Sequence, residues 1–190
     1  MTPFNDLTSP LSLLLTRRSG KARDLVAPGP TEAELETILQ AAARVPDHGK
    51  LAPWRFVLIR DRAAFADLLE RLYRADKPAA GRLELEALQQ FAQQSPVCLA
   101  LVSLPRESHI PLWEQQLSAG AAAQNLLLAT HALGYAGNWL SGAPATLPGI
   151  AEALGFPGGT IAGYFFLGTP TKPLEERPRP NRSDIVRNWP

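Results

Sequence analysis

The longest helical segment of the sequence, Leu112–Leu133, limits the possible folds most strongly. Gly134 stands where the C-terminal cap of such a helix is expected. The second half of the segment is apolar around nearly its whole circumference, so a stable helix there must be covered on every side. Two arrangements meet this requirement: a central helix buried within one chain, or a helix covered partly by a second copy of the chain.

The segments on either side predict an α+β domain in which helices outnumber strands. Thr31 and Glu34 form a capping-box pattern at the start of a helix that should run to about Ala43. Asp61 can cap the helix predicted over 61–74. Pro96 should end the helix predicted over 83–94. The predicted helices are 11–16, 31–43, 61–74, 83–94, 112–133 and 147–154, and the predicted strands are 54–60, 97–102, 136–140 and 161–168.

Composition and charge narrow the possible functions. The 190 residues fit a single domain over 1–190, and 45% of them are hydrophobic, which is enough for a real core. A net charge of +1 gives no reason to expect a nucleic acid or a membrane surface as partner, because both need a clear basic excess.

The tail from Pro170 carries little helix or strand signal, so it is either disordered or laid over another surface.

The single cysteine, Cys98, lies in the apolar run 97–102 and is interpreted as a small buried residue. It cannot form an internal disulfide, and no second Cys or His stands at ligand spacing beside it. We therefore predict no metal site. The cysteine count favours a cytoplasmic protein.

Three polar segments are candidates for a functional site. The first contains Arg17, Arg18, Ser19 and Lys21 at the end of the first predicted helix. Guanidinium groups match phosphate oxygens bidentately, and a hydroxyl adds a donor, so this segment is either an anion site or a solvated helix end.

The second segment is the proline-bounded loop 44–53, which concentrates Arg44, Asp47, His48 and Lys50 before a strand. His48 could act as a hydrogen-bond donor, as a proton carrier or simply as a surface group. Glu114, on the long helix, has no carboxylate partner arranged for acid–base work.

The third segment is Gly137–Gly142, between a predicted strand and a turn. Its glycines allow a close approach of backbone to a planar ligand, and Trp139 could stack on one. The alternative is a core tryptophan beside an ordinary turn. The sequence contains no dinucleotide fingerprint, no phosphate loop of the Gly-Lys-Ser/Thr type and no nucleophile elbow.

Taken in order, these segments resemble the nitroreductase family over almost the whole chain. Arg17-Arg18-Ser19-x-Lys21 is similar to the family's opening motif, and 46–54 is similar to its loop that ends in Pro-Trp. Within the family, the chain most resembles a compact branch of NAD(P)H nitroreductases. Three further segments fit that branch: Trp113-Glu114-Gln115, Trp139-x-Ser141-Gly142 and 166–170. Many members carry an asparagine where this chain has Lys50.

The resemblance implies a fold, a cofactor and an assembly. The fold would be a central, mostly antiparallel sheet flanked by helices. The assembly would be a homodimer with two FMN sites at its interface, in which the tail, about 170–190, extends over the partner subunit. Arg179 and Arg182 are candidates for a basic tail residue that reaches the FMN phosphate.

Residue by residue, the resemblance implies the following cofactor contacts. Arg17 and Ser19 would hold the FMN phosphate with Arg18 beside them, and Lys21 would lie near the flavin pyrimidine ring. Arg44 and His48 would come from the other subunit, with Lys50 in the same loop. The segment Trp139, Leu140, Ser141 and Gly142 would line the isoalloxazine ring.

The implied activity is the reduction of nitroaromatic compounds, quinones or similar small-molecule acceptors by NADH or NADPH. The implied mechanism is ping-pong and centred on the flavin, so it needs no catalytic side-chain nucleophile. Two alternatives remain open: a flavin-binding reservoir or sensor with little turnover, and a narrow-substrate flavin enone reductase or dehydrogenase.

Overall fold

The structure is a computed structural model that describes residues 4–189. Within this range it contains eight α-helices and five strands. The helices are α1 (Pro10–Thr16), α2 (Glu32–Ala42), α3 (Arg62–Asp76), α4 (Arg82–Ala92), α5 (Leu112–Ala132), α6 (Ala143–Thr146), α7 (Ile150–Ala153) and α8 (Arg182–Ile185). The strands are β1 (Leu25–Val26), β2 (Trp54–Leu58), β3 (Val97–Ser103), β4 (Ala136–Leu140) and β5 (Thr160–Pro170).

The five strands form one sheet, and all of its pairings are antiparallel. The long strand β5 is the hub, because it pairs with β1, β3 and β4, while β2 pairs with β3. Its partner β4 runs from Ala136, opposite Gly168, to Leu140, opposite Tyr164. The predicted α+β fold with an antiparallel sheet flanked by helices is confirmed.

Both faces of the sheet are buried, which explains why the middle parts of β3 and β5 are largely apolar. On one face Tyr164 and Phe166 pack with residues of α3, α4, α6 and α7. On the other face Phe165 and Leu167 pack with residues of α2 and α5. Cys98 is buried within the first of these cores, as predicted. No helix among the described residues is both long and apolar enough to cross a membrane.

Several predicted boundaries follow from side-chain caps. Thr31 and Glu34 form the capping box at the start of α2, and the Asp61 carboxylate accepts a hydrogen bond from the backbone N–H of Ala64 at the start of α3. The predicted helix 147–154 is confirmed only over Ile150–Ala153, which is α7. Gly149, the N-cap of α7, adopts a left-handed φ of 77°, so the helix begins after it, and a separate short helix, α6, precedes the predicted range.

The long helix α5 buries one face and exposes part of the other. Ala122, Ala123, Leu126 and Leu127 pack into the core, as do other residues of the same face. Towards the N-terminal end, the side chains of Trp113 and Leu117 are 61% and 64% exposed. One chain therefore covers this helix only in part.

Candidate functional site

The loop that follows α1 lines a cavity of about 260 Å³. Four predicted site residues meet there: Arg17, Arg18, Ser19 and Lys21. The other wall belongs to the segment 171–179, which we call the strap. Its lining residues are Lys172, Pro173, Leu174, Glu175, Arg177 and Arg179. Of the two arginines predicted as tail candidates, Arg179 lines the cavity, whereas Arg182 begins α8 and is not among its lining residues.

Side chains on two sides hold the loop in place. The Asn5 side chain donates to Arg18 O over 3.3 Å and accepts from Arg18 N over 2.8 Å. On the other side, Asn138 Nδ2 donates to Gly20 O. A Cβ on Gly20 would lie 2.7 Å from Leu25 Cδ2, so the loop packs closely against this side chain. The loop is thus a fixed element, anchored directly to β4.

The strap is bound to its own chain by hydrogen bonds and ion pairs. Thr171 N and Thr171 Oγ1 both donate to Asp24 O over 2.9 Å. Lys172 Nζ lies 2.8 Å from Asp24 Oδ1, and Arg18 Nε donates to Glu175 O over 2.6 Å. Together these contacts bring Arg177 and Arg179 to the cavity wall.

The cavity has a strong excess of positive charge. Six cationic side chains line it, against the two carboxylates of Asp24 and Glu175. Burial lowers the pKa of Arg17, and the neighbouring cations Arg179, Arg18 and Arg177 lower it further. A bound anion would relieve this repulsion. The donor set of guanidinium groups and the Ser19 hydroxyl fits a phosphate monoester.

A neutral histidine lies close to Arg17. His131 is fully buried at the end of α5, and its Nδ1 lies 3.1 Å from Tyr135 O. Its Nε2 has no hydrogen-bond partner among the described residues. Burial lowers the pKa of His131 to about 4, and the charge of Arg17 acts in the same direction. At neutral pH this imidazole is therefore uncharged.

The predicted residues 139–142 lie directly after Asn138: Trp139 and Leu140 end β4, and 141 and 142 follow it. Trp139 stacks on Phe165 with ring centroids 5.4 Å apart, and its Nε1 donates to Ala162 O over 3.0 Å. Leu140 is half-buried, and Ser141 is exposed. Gly142 has φ 63° and ψ −162°, a combination that is open essentially to glycine alone. This segment adjoins the cavity but does not line it.

The predicted loop residues Arg44, His48 and Lys50 are exposed, and none of them is among the lining residues of that cavity. Their loop is nevertheless rigidly held by α5. Ser118 Oγ donates to Pro46 O over 2.6 Å, and Asn125 Nδ2 donates to Arg44 O over 3.0 Å. Within the loop, the Asp47 carboxylate accepts hydrogen bonds from the backbone N–H groups of 51 and 52.

Sequence reasoning missed two groups of residues. Asn138 was visible within the polar segment 137–142, but its partner Gly20 lies 118 residues away in the chain. Glu114 was predicted to have no carboxylate partner for acid–base work, but its contact with a histidine was not foreseen. Its Oε2 lies 2.8 Å from His48 Nδ1. The described residues contain no cluster of three or more His, Cys, Asp or Glu that could hold a metal ion.

Comparison with known proteins gives a family and close relatives in sequence. The model of the nitroreductase family matches residues 14–169. A protein of Escherichia coli K12 named "Putative NAD(P)H nitroreductase YdjA" is 36% identical over 166 residues, which cover 84% of this chain and 87% of that protein.

Two solved structures show the same fold. A nitroreductase-like family protein from Bacillus cereus superposes with a TM-score of 0.78 at 21% identity, covering 96% of both chains. A protein from Desulfovibrio desulfuricans in complex with FMN superposes with a TM-score of 0.72 at 23% identity, covering 96% of this chain and 99% of the other.

Proposed function

Because the chain belongs to the nitroreductase family, we propose that it is an FMN-dependent oxidoreductase that uses NADH or NADPH. Its acceptors would be nitroaromatic compounds, quinones or similar electrophiles, reduced in a ping-pong sequence. The observation that carries the proposal is the basic cavity formed by the 17–21 loop and the strap. A cytoplasmic location is part of the same proposal.

The cavity residues would hold the phosphate of FMN. Arg17 and Ser19 are already aligned with each other, since Arg17 Nη1 donates to Ser19 Oγ over 3.4 Å. Arg18 and Arg179 would add positive charge from the loop and from the strap. Lys21 would lie towards the flavin ring, where a cation stabilises negative charge on the reduced ring.

The end of β4 and the two residues after it, 139–142, would line the isoalloxazine ring. The indole of Trp139 is fixed by Phe165 and Ala162, so this side chain would form a rigid wall rather than a mobile cover. The backbone of 140–142 is exposed or half-exposed and could approach the ring closely. When bound, FMN would supply the two-electron chemistry, while the protein aligns the ring and excludes water.

The second half of each site would come from a partner subunit in a homodimer. Arg44, His48 and Lys50 are exposed on a loop that is rigid within its own chain, an arrangement suited to binding a group outside that chain. The exposed apolar residues Trp113 and Leu117 on α5 would be covered by the same assembly. The tail beyond the strap carries an exposed Trp189, which could pack on the partner.

The direct test is the oxidation of NADH and NADPH by the FMN-loaded protein, with a nitroarene, a quinone and an enone supplied in separate assays. We expect turnover with both the nitroarene and the quinone. Flavin uptake without turnover on any acceptor would contradict the enzymatic proposal and indicate a flavin reservoir or sensor. Turnover on the enone alone would contradict the broad acceptor class.

A further inference from the structure

A carboxylate–imidazole pair joins the loop 44–53 to α5. His48 Nδ1 lies 2.8 Å from Glu114 Oε2. The side chain of Glu114 is 28% exposed, whereas that of His48 is 63% exposed. The carboxylate is therefore the more enclosed and fixed of the two groups, and the imidazole projects from it towards the outside of the chain.

The orientation of the ring is restricted from several directions. The Glu114 carboxylate holds the Nδ1 edge, and the His109 ring meets the His48 ring in an edge-on arrangement with centroids 6.4 Å apart. The backbone under His48 is held by the bond from Ser118 to Pro46 and by the carboxylate of Asp47. Ring rotation would break the contact to Glu114, so the nitrogen presented to the surroundings is Nε2.

Glu114 also determines which nitrogen carries the proton. An ionised carboxylate can only accept a hydrogen bond, so His48 Nδ1 must be the donor in this pair. In a neutral His48 the Nε2 atom then carries no proton, whereas in a protonated His48 it carries a proton that can be transferred. Carboxylate–imidazole pairs of this kind serve in proton transfer because the carboxylate fixes the ring and stabilises its charged form.

We propose that His48 is the proton donor to the acceptor bound at the partner subunit's flavin site, and that Glu114 is its positioning residue. This inference rests on the proposed function. Reduction of a quinone to a hydroquinone takes two electrons and two protons. NAD(P)H supplies both electrons and one proton as a hydride, and the second proton passes from His48 Nε2 to a quinone oxygen. The exposed imidazole then recovers a proton from solvent.

The role of Glu114 can be tested without any turnover by ¹⁵N NMR of the histidine rings at about pH 8.5, where unperturbed imidazoles are neutral. The chain has only three histidines, so His48→Gln assigns the signal. We expect the Nδ1–H tautomer for His48 in the wild-type protein and in Glu114→Gln, whose amide oxygen still accepts the bond. Glu114→Ala should shift the ring towards the Nε2–H tautomer. An Nε2–H tautomer in the wild-type protein would overturn the positioning role.

The role of His48 can be tested by comparing two acceptors. A quinone needs a proton at the acceptor, whereas ferricyanide takes single electrons and no proton. We expect His48→Gln and Glu114→Ala to lower kcat with the quinone by about 10²-fold more than kcat with ferricyanide, the usual size of a general-acid contribution. Glu152→Gln, which changes an exposed carboxylate on α7, serves as the matched control and should alter neither rate.

The outcomes separate this proposal from the proposed function. If the wild-type enzyme is active and both variants lose the same factor with both acceptors, the proton role of His48 is wrong while the enzymatic function stands. If the wild-type protein takes up no FMN, both the proposed function and the proton role of His48 are wrong. The tautomer of His48 would still decide whether Glu114 orients the ring.

Discussion

Arg17 is the residue on which the proposed anion site depends most. Its guanidinium is half-buried, and its pKa is lowered by burial and by the charges of Arg179, Arg18 and Arg177. Folding therefore brings together like charges that repel one another until an anion binds. Such an arrangement costs stability in the absence of a ligand, and it is expected where an anionic ligand is to be held strongly.

For Arg17→Ala we predict a loss of about 1.5–3 kcal/mol of FMN affinity, because a charge-assisted phosphate contact disappears. Titration of the apoprotein, followed by the quenching of FMN fluorescence, measures this directly. Arg23→Ala is the matched control, since Arg23 is exposed and is not among the lining residues of the cavity. Equal FMN affinity of the wild-type and Arg17→Ala proteins would refute the phosphate role of Arg17.

His131 should make stability depend on pH. Its pKa is about 4 in the folded protein, against an ordinary value of 6.5, because burial disfavours the charged ring. Between about pH 6.5 and 4, the ring is protonated in the unfolded chain but not in the folded protein. The contribution of the neutral ring to the free energy of unfolding is therefore fully present above pH 6.5 and is lost as the pH falls towards 4. The full loss is on the order of 3 kcal/mol.

Urea unfolding of the wild-type protein and of His131→Gln at about pH 7.5 and about pH 4.5 tests this prediction. The free energy of unfolding of the wild-type protein should fall more steeply than that of the variant, since glutamine does not titrate. An equal fall in the free energy of unfolding of the two proteins would mean that His131 is not held neutral by its surroundings.

At the scale of elements, the pairing of β4 with β5 positions the predicted ring-binding segment. Leu140 lies opposite Tyr164, and the indole of Trp139 folds across β5 next to Gly163. A Cβ on Gly163 would overlap with Nε1 and Cδ1 of that indole, because both atoms lie much closer than van der Waals contact. The glycine is thus required for the stacking of Trp139 on Phe165.

We therefore predict that Gly163→Ala displaces the Trp139 ring and destabilises the fold by about 1–3 kcal/mol, as overpacking usually does. Chemical denaturation followed by tryptophan fluorescence measures both effects. In a Trp139→Ala background the same substitution should cost much less, because the clashing ring is gone. An equal cost in both backgrounds would place the strain elsewhere.

The sequence predicted those elements that carry a local signal. Thr31 and Asp61 gave the starts of α2 and α3, because a side-chain cap depends on neighbouring residues only. The two-residue strand β1 was missed, since it exists only through its pairing with 169 and 170 at the far end of β5. The helix predicted over 147–154 begins only at Ile150, because apolar spacing does not reveal the positive φ of Gly149.

At the scale of the whole molecule, the sequence left open whether α5 is covered by one chain or by two. Gly120 lies on α5 at a point where an added Cβ would meet nothing within 4 Å. We predict that Gly120→Arg leaves the fold of the subunit intact and disrupts the proposed homodimer, because a long charged side chain would enter the proposed interface on the same helix face as the exposed Trp113 and Leu117.

Light scattering coupled to size-exclusion chromatography reports the mass of each species. Ala87→Arg places the same side chain at an exposed position of α4 and serves as the control that should stay dimeric. A wild-type protein that is already monomeric, or a Gly120→Arg variant that remains a dimer, would contradict an interface built on this part of α5.

The candidate site shows the same division between local and long-range information. The 17–21 motif was recognisable from its residues alone, and the structure brings these residues together in one cavity. Asn138 and the contact of Arg18 with Glu175 could not be predicted, because they depend on contacts across more than a hundred residues. Arg179 of the strap was a candidate only through the family resemblance. The place of Arg44, His48 and Lys50 stays a prediction that only an assembly of two chains can test.

The measurement that tests the central claim most directly is the visible absorbance spectrum of the purified protein, with the released chromophore identified by chromatography. We predict flavin absorbance and the release of FMN in an amount equimolar with the chain, because each cavity between the 17–21 loop and the strap would hold one phosphate. A colourless protein that takes up no added FMN would contradict the cofactor, the site and the function together.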